Sequence, residues 1–382
     1  MQVPDIRNVT ELQGKRVLMR ASLNEPIING RVQNDTKLKG ALQTIRFLAE
    51  KGARVIVIGH LSGRTESTLL PVYEYLKQHI PLSFITSSTG TGVTEAVSKL
   101  ENGSVLLLEN IRQEEGEEKN DPVFAKELAS HADIFVNDDF TVAHRTHAGV
   151  VGVTEYLRSF AGPQFIQEME GLLSARTPES PSLCVIGGAK FETKAPLIRL
   201  FLKTYDTVFV GGALANDFFK AQGYATGRSL VSSAPPLIED LLENEKLKLP
   251  SDVIVSKNGE ALVKLPQDVA PEDYIYDAGP ETEKILARLV ARSAFVLWNG
   301  PLGQCDAGYT ESTEHFARML MDSNARSVVG GGDTVAAIAK LHPREQLSFV
   351  STAGGAMLEF LLNGTLPGID ALLSNAKKFQ NH

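Results

Sequence analysis

Short runs of branched and aromatic apolar residues recur along the chain, at 17–19, 55–58, 105–108, 134–136, 184–186, 208–210, 253–255, 295–298, 328–329 and 349–350. Most are continuous rather than alternating, as strands buried on both faces of a parallel sheet require. Between them lie helical patterns. In DTKLKGALQTIRFLAEKG the residues Leu38, Ala41, Leu42, Ile45, Leu48 and Ala49 form one stripe, with Asp35 or Thr36 expected to cap the helix and Gly52 to end it. DPVFAKELASHAD from Asp121, DTVAAIAKL from Asp333 and GGAMLEFLLNG up to Gly364 read the same way. Strand and helix in alternation predict an α/β architecture with parallel sheets flanked by helices.

The chain has 382 residues, more than the roughly 250–300 at which one hydrophobic core stops growing, so two domains are expected. The break is expected within 160–180, where FAGPQFIQEMEGLLSARTPESPS offers a helix and then a turn rich in Pro and Ser. That gives domains at 1–165 and 181–365 with a connecting helix and linker at 166–180. No short-period repeat is visible.

Composition narrows the classes further. Hydrophobic content of 43% and charged content of 22% are those of a globular protein. No apolar run nears the roughly 18 residues that span a bilayer, so no membrane partner is expected. The first residues show neither a signal peptide nor a transit pattern. Cys184 and Cys305 lie far apart in no paired motif, which fits a reducing cytoplasm. A net charge of −8 argues against a nucleic-acid partner. The acidic stretch Glu114, Glu115, Glu117 and Glu118 reads as a solvated helix face or loop.

Ligands of open α/β sheets bind beyond the carboxyl ends of the strands, and the residues that follow each apolar run divide by half of the chain. In the first half they are Arg20, Ser22 and Asn24; His60 and Arg64; Arg112; then His144, Arg145 and His147. Cations and polar donors from four strand ends make an anion pocket, because the planar fork of Arg matches carboxylate and phosphate. In the second half the strand ends carry glycine: GGAKFETK at 187–194, GGA at 211–213, WNGPLG at 298–303, GGGDT at 330–334 and STAGGA at 351–356. Glycine lets the backbone approach a ligand closely, and helix N-termini favour phosphate. Lys190 and Lys194 are placed to meet β- and γ-phosphates, and Asp333 either holds Mg²⁺ or caps its helix. There is no GxxxxGK[ST] loop, no GxGxxG fingerprint and no HRD with DFG. His60, His144 and His147 lack an HExxH pattern, so anion binding or structural hydrogen bonding is the better reading of them.

In the order GGAKFETK, WNGP, GGGDT, LLEN with Arg112, VND with AHRTHAG, and LPGIDALL, the chain from about Gly14 to Leu373 resembles the phosphoglycerate kinases. The resemblance implies two Rossmann-like domains facing each other across a hinged cleft. It also implies that the tail, 366–382, packs back on the first domain. The expected reaction is reversible glycolytic phosphoryl transfer, in which 1,3-bisphosphoglycerate and ADP give 3-phosphoglycerate and ATP, with Mg²⁺ accompanying the nucleotide in a cytoplasmic monomer. Carried over by position, Ser22, Asn24, Lys37, His60, Arg64, Arg112 and Arg145 would hold the phosphoglycerate. Gly188, Lys190, Lys194, Gly212, Asn299, Pro301, Asp306, Gly331, Gly332, Asp333 and Thr334 would hold the nucleotide. Of these, Lys37, Lys190, Lys194 and Arg145 would be catalytic and Asp333 would face the metal.

Several departures from the family pattern fall in the substrate half. RVDFN reads RASLN, which puts Ser22 where the family has Asp, and Lys37 stands for the Arg of the DDTR segment. HLGRP reads HLSGRT with one residue added before Arg64, VNDAFG reads VNDDFT, and Ala353 replaces the first glycine of STGGGA. Asp306 occupies the usual Glu position against the ribose. These changes leave open a catalytically impaired regulatory homologue, or a kinase for another carboxylate acceptor.

Overall fold

The protein is described from a computed structural model covering residues 2–62, 67–232, 238–257 and 260–380. It divides into two compact units, one running up to Glu170 and resuming at Thr365, the other spanning Gly171–Gly364.

The first unit holds strands β1 (Arg16–Arg20), β4 (Arg54–Ile58), β5 (Ser83–Phe84), β6 (Val105–Leu107), β7 (Ile134–Asn137) and β8 (Arg158–Ala161), with β2 (Ile27–Ile28) and β3 (Arg31–Val32) forming a small hairpin. The large sheet runs β5-β6-β4-β1-β7-β8 with every pairing parallel. The interiors of its central strands are apolar because both faces are covered. Val17 and Met19 of β1 pack with Leu38, Ile45 and Leu48 of the helix Thr36–Glu50. Leu18, pointing the other way, packs with Leu128, Phe135 and Val153. The helix Pro367–Gln380 belongs to this unit. Asn375 fastens it: its Oδ1 accepts from Ser159 N at 2.8 Å, and its Nδ2 donates to the carbonyls of Thr154 at 2.5 Å and Leu157 at 2.8 Å.

In the second unit β9 (Ser182–Ile186), β10 (Thr207–Val210), β11 (Leu247–Lys248), β15 (Phe295–Asn299), β16 (Arg326–Gly330) and β17 (Phe349–Val350) form a parallel sheet in the order β11-β10-β9-β15-β16-β17. Trp298, Val185 and Phe316 anchor one of its faces. The run at 253–255 departs from the expected pattern. It lies in β12 (Val253–Lys257), the centre of an antiparallel sheet with β13 (Glu260–Lys264) and β14 (Tyr274–Ala278). A short apolar run has no polarity signature, and only its partners decide its direction.

Three local expectations are corrected. Asp35 occupies the cap position of Thr36–Glu50 but makes no capping bond. Its carboxylate is taken by Tyr75 Oη and Lys39, so Asn34 Oδ1 accepts from Thr36 N and Glu25 Oε1 from Lys37 N instead. The helix expected from Asp333 stops at Ala337, and a 3-10 turn, Ala339–Leu341, follows. Glu117, expected on a solvated face, is fully buried and paired with Arg20 at 2.7 Å. Among the described residues no single helix is long and apolar enough to cross a membrane.

Candidate active site

At the carboxyl ends of the first unit's strands, β1 delivers Arg20 and, just beyond it, Ser22 and Asn24, while β4 delivers His60. Asn24 is pinned from both sides: its Nδ2 donates to Ser62 Oγ at 2.6 Å and its Oδ1 accepts from Ser62 N at 2.7 Å. Lys37 Nζ donates to the Asn24 carbonyl at 2.7 Å, which draws the first turn of the helix Thr36–Glu50 onto the same loop. The Ser22 hydroxyl is buried and has no hydrogen-bond partner among the described residues. Arg112 sits half-buried in the 3-10 turn Ile111–Gln113, its Nε 3.5 Å from Glu118. Burial and the neighbouring charge of Arg20 lower its pKa from the ordinary value. Burial, then the fields of Arg20, Arg112, His147 and Lys37, push His60 well below an ordinary histidine. Of these four, Arg20 touches the imidazole, its Nη2 lying 3.2 Å from His60 Nδ1. Arg145 is exposed on the turn after Phe140–Val142, two residues before the buried His147. Arg64 lies outside the described residues.

The glycines of the second unit meet in one place. Gly188 N donates to the Pro301 carbonyl at 2.7 Å and Gly187 N to the Asn299 carbonyl at 2.9 Å, which sews the end of β9 to the end of β15. Gly300 has φ 99° and Gly212 φ 60°, both left-handed. A Cβ at Gly300 would strike the Gly187 carbonyl and the Lys194 amine, and one at Gly212 would strike the Gly188 backbone. Lys194 lies in the first turn of the helix Phe191–Thr204, whose cap residue, Lys190, is exposed and left-handed at φ 65°. Burial brings Lys194 down to about 8, with Asp333 opposing the shift, so these two groups feel one another.

Gly331 caps the short helix Gly332–Ala337, which makes Asp333 its exposed second residue rather than its cap. Thr334 is fully buried, and its hydroxyl accepts from Gly300 N at 2.8 Å, so it secures the turn that Gly300 makes. Asn299 is also buried and donates to Met357 Sδ at 3.6 Å.

A cavity of about 530 Å³ opens against these turns. Gly188, Gly212, Pro301, Asp306 and Asp333 line it, but Lys190, Lys194, Asn299, Gly331, Gly332 and Thr334 do not. Much of the remaining wall escaped the sequence reading: Phe219, Leu230, Tyr274 and Tyr276 are apolar or aromatic and belong to the segment between β10 and β15. Tyr276 stacks on Tyr309 with ring centres 4.2 Å apart and planes 16° from parallel. The two tyrosines of YIYDAG were the only visible trace, and alternate aromatics in a strand ordinarily mean core. A slot with apolar walls and glycine turns at its floor, with the Lys194 amine just behind Gly188, suits a flat heterocycle carrying phosphates. Among the described residues no three His, Cys, Asp or Glu side chains gather as a metal site.

Two α/β units with parallel sheets, one ending in a cationic cluster and the other in a glycine-floored slot, define an α/β protein with an anion-binding cluster and a slot suited to a phosphorylated ligand. A family model described as phosphoglycerate kinase matches residues 6–364. The chain is 38% identical to the phosphoglycerate kinase of Maricaulis maris, over 97% of this chain and 98% of that one. It is 41% identical to that of Rubrobacter xylanophilus, over 95% and 96%. The solved phosphoglycerate kinase structure from Coxiella burnetii superposes with a TM-score of 0.86 at 37% identity, over 99% of this chain and all of that one. The Pyrococcus horikoshii enzyme gives 0.85 at 27% identity, over 98% and 99%. The chain belongs to the phosphoglycerate kinase family.

Proposed function

We propose that this chain transfers a phosphoryl group reversibly between 1,3-bisphosphoglycerate and ADP, giving 3-phosphoglycerate and ATP in the cytoplasm, as a monomer. The observation that carries the reading is the slot of the second unit, where a buried lysine stands behind glycine turns that admit phosphate. In this reading Lys190 and Lys194 meet the phosphates, Gly188, Gly212, Pro301 and Gly331 let the backbone approach them, and Asp306 faces the ribose. Gly332 begins the helix beside them, and Asn299 and Thr334 hold the turns in place. Arg112, Arg145 and Arg64 supply charge to the acid; Ser22, Asn24 and His60 supply hydrogen bonds; Lys37 supplies both.

Asp333 fits Mg²⁺ in donor chemistry, because an exposed carboxylate lining the slot suits an ion that takes most of its ligands from phosphate and water. When bound, Mg²⁺ would neutralise charge on the transferring phosphates. The protein's part is positioning and positive charge. The carboxylate of 3-phosphoglycerate attacks in line, and Lys194 stabilises the charge that develops on the phosphoryl oxygens.

An assay coupling ADP formation to a dye, with 3-phosphoglycerate and Mg-ATP, tests the proposal directly. Turnover with 3-phosphoglycerate and none with water alone is expected. Nucleotide binding without turnover would defeat it.

A further inference from the structure

Arg20 closes β1 fully buried, and its guanidinium is divided three ways. Nη1 donates to Glu117 Oε1 at 2.7 Å, Nη2 lies 3.2 Å from His60 Nδ1, and Nε faces Asp139 Oδ2 at 3.8 Å. A guanidinium has five donors and no acceptor. The contact with His60 is therefore a hydrogen bond only if Nδ1 carries no proton. The carboxylate that would compete by drawing a proton onto Nδ1 belongs to Asp139, but at 4.0 Å it lies beyond hydrogen-bond reach. Its Oδ1 is held by the amide and hydroxyl of Thr141 at 3.1 and 2.5 Å, which fixes where Oδ2 points. Glu117 is committed on both oxygens, to Arg20 and, through Oε2, to Gly149 N at 2.7 Å, so the guanidinium cannot turn away from His60 without leaving a buried carboxylate unpaired.

We propose that Arg20 is a positioning residue that locks His60 in the Nε2–H tautomer, so that His60 meets the anionic acid as an uncharged hydrogen-bond donor. This rests on the reading of the first unit as the acid site. The charge in that site then comes from arginine and lysine, and His60 contributes direction. The groups that face His60 are Arg20 from β1, Arg112 from the turn after β6, His147 and Asp139 from the segment after β7, and Lys37 from the first helix. Burial and the four basic neighbours together oppose a second proton on the ring, the same effect that keeps its pKa low. Acid affinity in this protein should accordingly show no histidine transition at His60 between about pH 5.5 and 8, where an ordinary histidine titrates.

The test is nitrogen-15 NMR of the histidine rings in the intact protein, with the His60 signals assigned by their loss in His60→Gln. An Nε2–H ring that persists from about pH 8 to pH 5.5, and whose Nε2 resonance moves on saturation with 3-phosphoglycerate, is expected. An Nδ1–H ring, or an imidazolium by about pH 6, overturns the proposal. Arg20→Gln keeps a donor but removes the charge beside Nδ1. It should let His60 titrate within that range and give the KM for 3-phosphoglycerate a pH dependence that the parent lacks, while kcat changes less. If the variant does not fold, the parent's spectrum decides. An Nε2–H ring that ignores saturating 3-phosphoglycerate while turnover proceeds overturns the acid-site reading and leaves the tautomer assignment standing.

Discussion

The Lys194 ammonium donates to the carbonyl oxygen of Gly187 at 2.6 Å from a side chain only 9% exposed. A buried cation with one neutral partner is under-solvated, so an arriving phosphoryl group meets a charge that water has not already neutralised. Lys194→Ala should therefore lower kcat by on the order of 10² or more while nucleotide affinity falls less, the mark of an interaction made chiefly in the transition state. Steady-state kinetics beside calorimetric ATP titration measures both, and unchanged turnover would remove Lys194 from the mechanism.

The same residue sets a pH limit. Burial places its folded pKa at about 8, below the ordinary 10.5, so raising the pH through 8 removes the cation from the free enzyme. kcat/KM for ATP should decline above about pH 8, and kcat at a higher pH, because bound phosphate favours the charged form. The stability effect has the opposite sense. Between about 8 and 10.5 the unfolded chain binds the proton that the folded one has lost, so this group's contribution to stability rises with pH over that window and is absent below it. Lys194→Met should flatten both profiles, and a parent kcat/KM that stays level to about pH 9.5 would count against the assignment.

Arg145 presents its charge to solvent from the turn after β7, with its backbone N–H bonded to the Val142 carbonyl at 2.9 Å. An exposed guanidinium on a fixed turn is free to take an incoming anion. Arg145→Ala should raise the KM for 3-phosphoglycerate by roughly 10-fold or more, with ATP affinity unchanged, as loss of a charged hydrogen bond implies. Calorimetry that found the loss in ATP binding instead would reverse the division of labour between the two units.

The parallel sheets were legible because strands such as β1 and β15 are apolar on both faces, and a short continuous apolar run repeated at each strand position suits a sheet covered on both sides. The glycine-backed slot was legible from the strand-end position of its turns. Two kinds of feature stayed hidden. The apolar wall around Phe219, Leu230 and Tyr276 has no polar signature: Tyr276 comes from β14 of the antiparallel sheet, Phe219 from the helix Leu214–Ala221 packed on that sheet, and Leu230 from the loop that follows. Glu117 sits between the exposed Glu115 and Glu118 and is set apart from them by partners distant in sequence, Arg20 at 97 residues and Gly149 at 32. Local composition describes the surface of an element well, but it cannot report a tertiary ion pair.

That pair makes a prediction of its own. Arg20 and Glu117 are both fully buried at 2.7 Å, and Glu117 also accepts the amide of Gly149. Removing one member leaves the other charge without water or partner, a cost of about 3–5 kcal/mol in such pairs. Glu117→Ala should lower the denaturant midpoint accordingly, whereas Glu115→Ala, whose parent side chain is exposed and paired only with Lys119, should leave it nearly unchanged. Equal effects from the two variants would show that burial is not what distinguishes them.

Ser22, just beyond β1, and Lys37, in the first turn of the helix Thr36–Glu50, depart from the family pattern on either side of Asn24, and the structure gives each a defined setting. The Ser22 hydroxyl is buried with no partner among the described residues, while the Lys37 ammonium spends one hydrogen bond on the Asn24 carbonyl and lies 4.0 Å from Glu25. If the loop presents the acid in the family's manner, Lys37→Arg should preserve or improve kcat/KM for 3-phosphoglycerate, because a guanidinium can keep the Asn24 contact and still offer two parallel donors to one anionic group. Ser22→Asp carries more risk. A carboxylate placed there repels the substrate unless Lys37 or its Arg replacement compensates it. The double variant should then recover part of what Ser22→Asp loses, a coupling that the full cycle of kcat/KM values measures directly. Additive losses, with both single changes harmful, would mean that the residue added before Arg64 has rearranged the loop that Asn24 and Ser62 close. Arg112 and Arg145 would then have to orient the acid without help from the β1 loop.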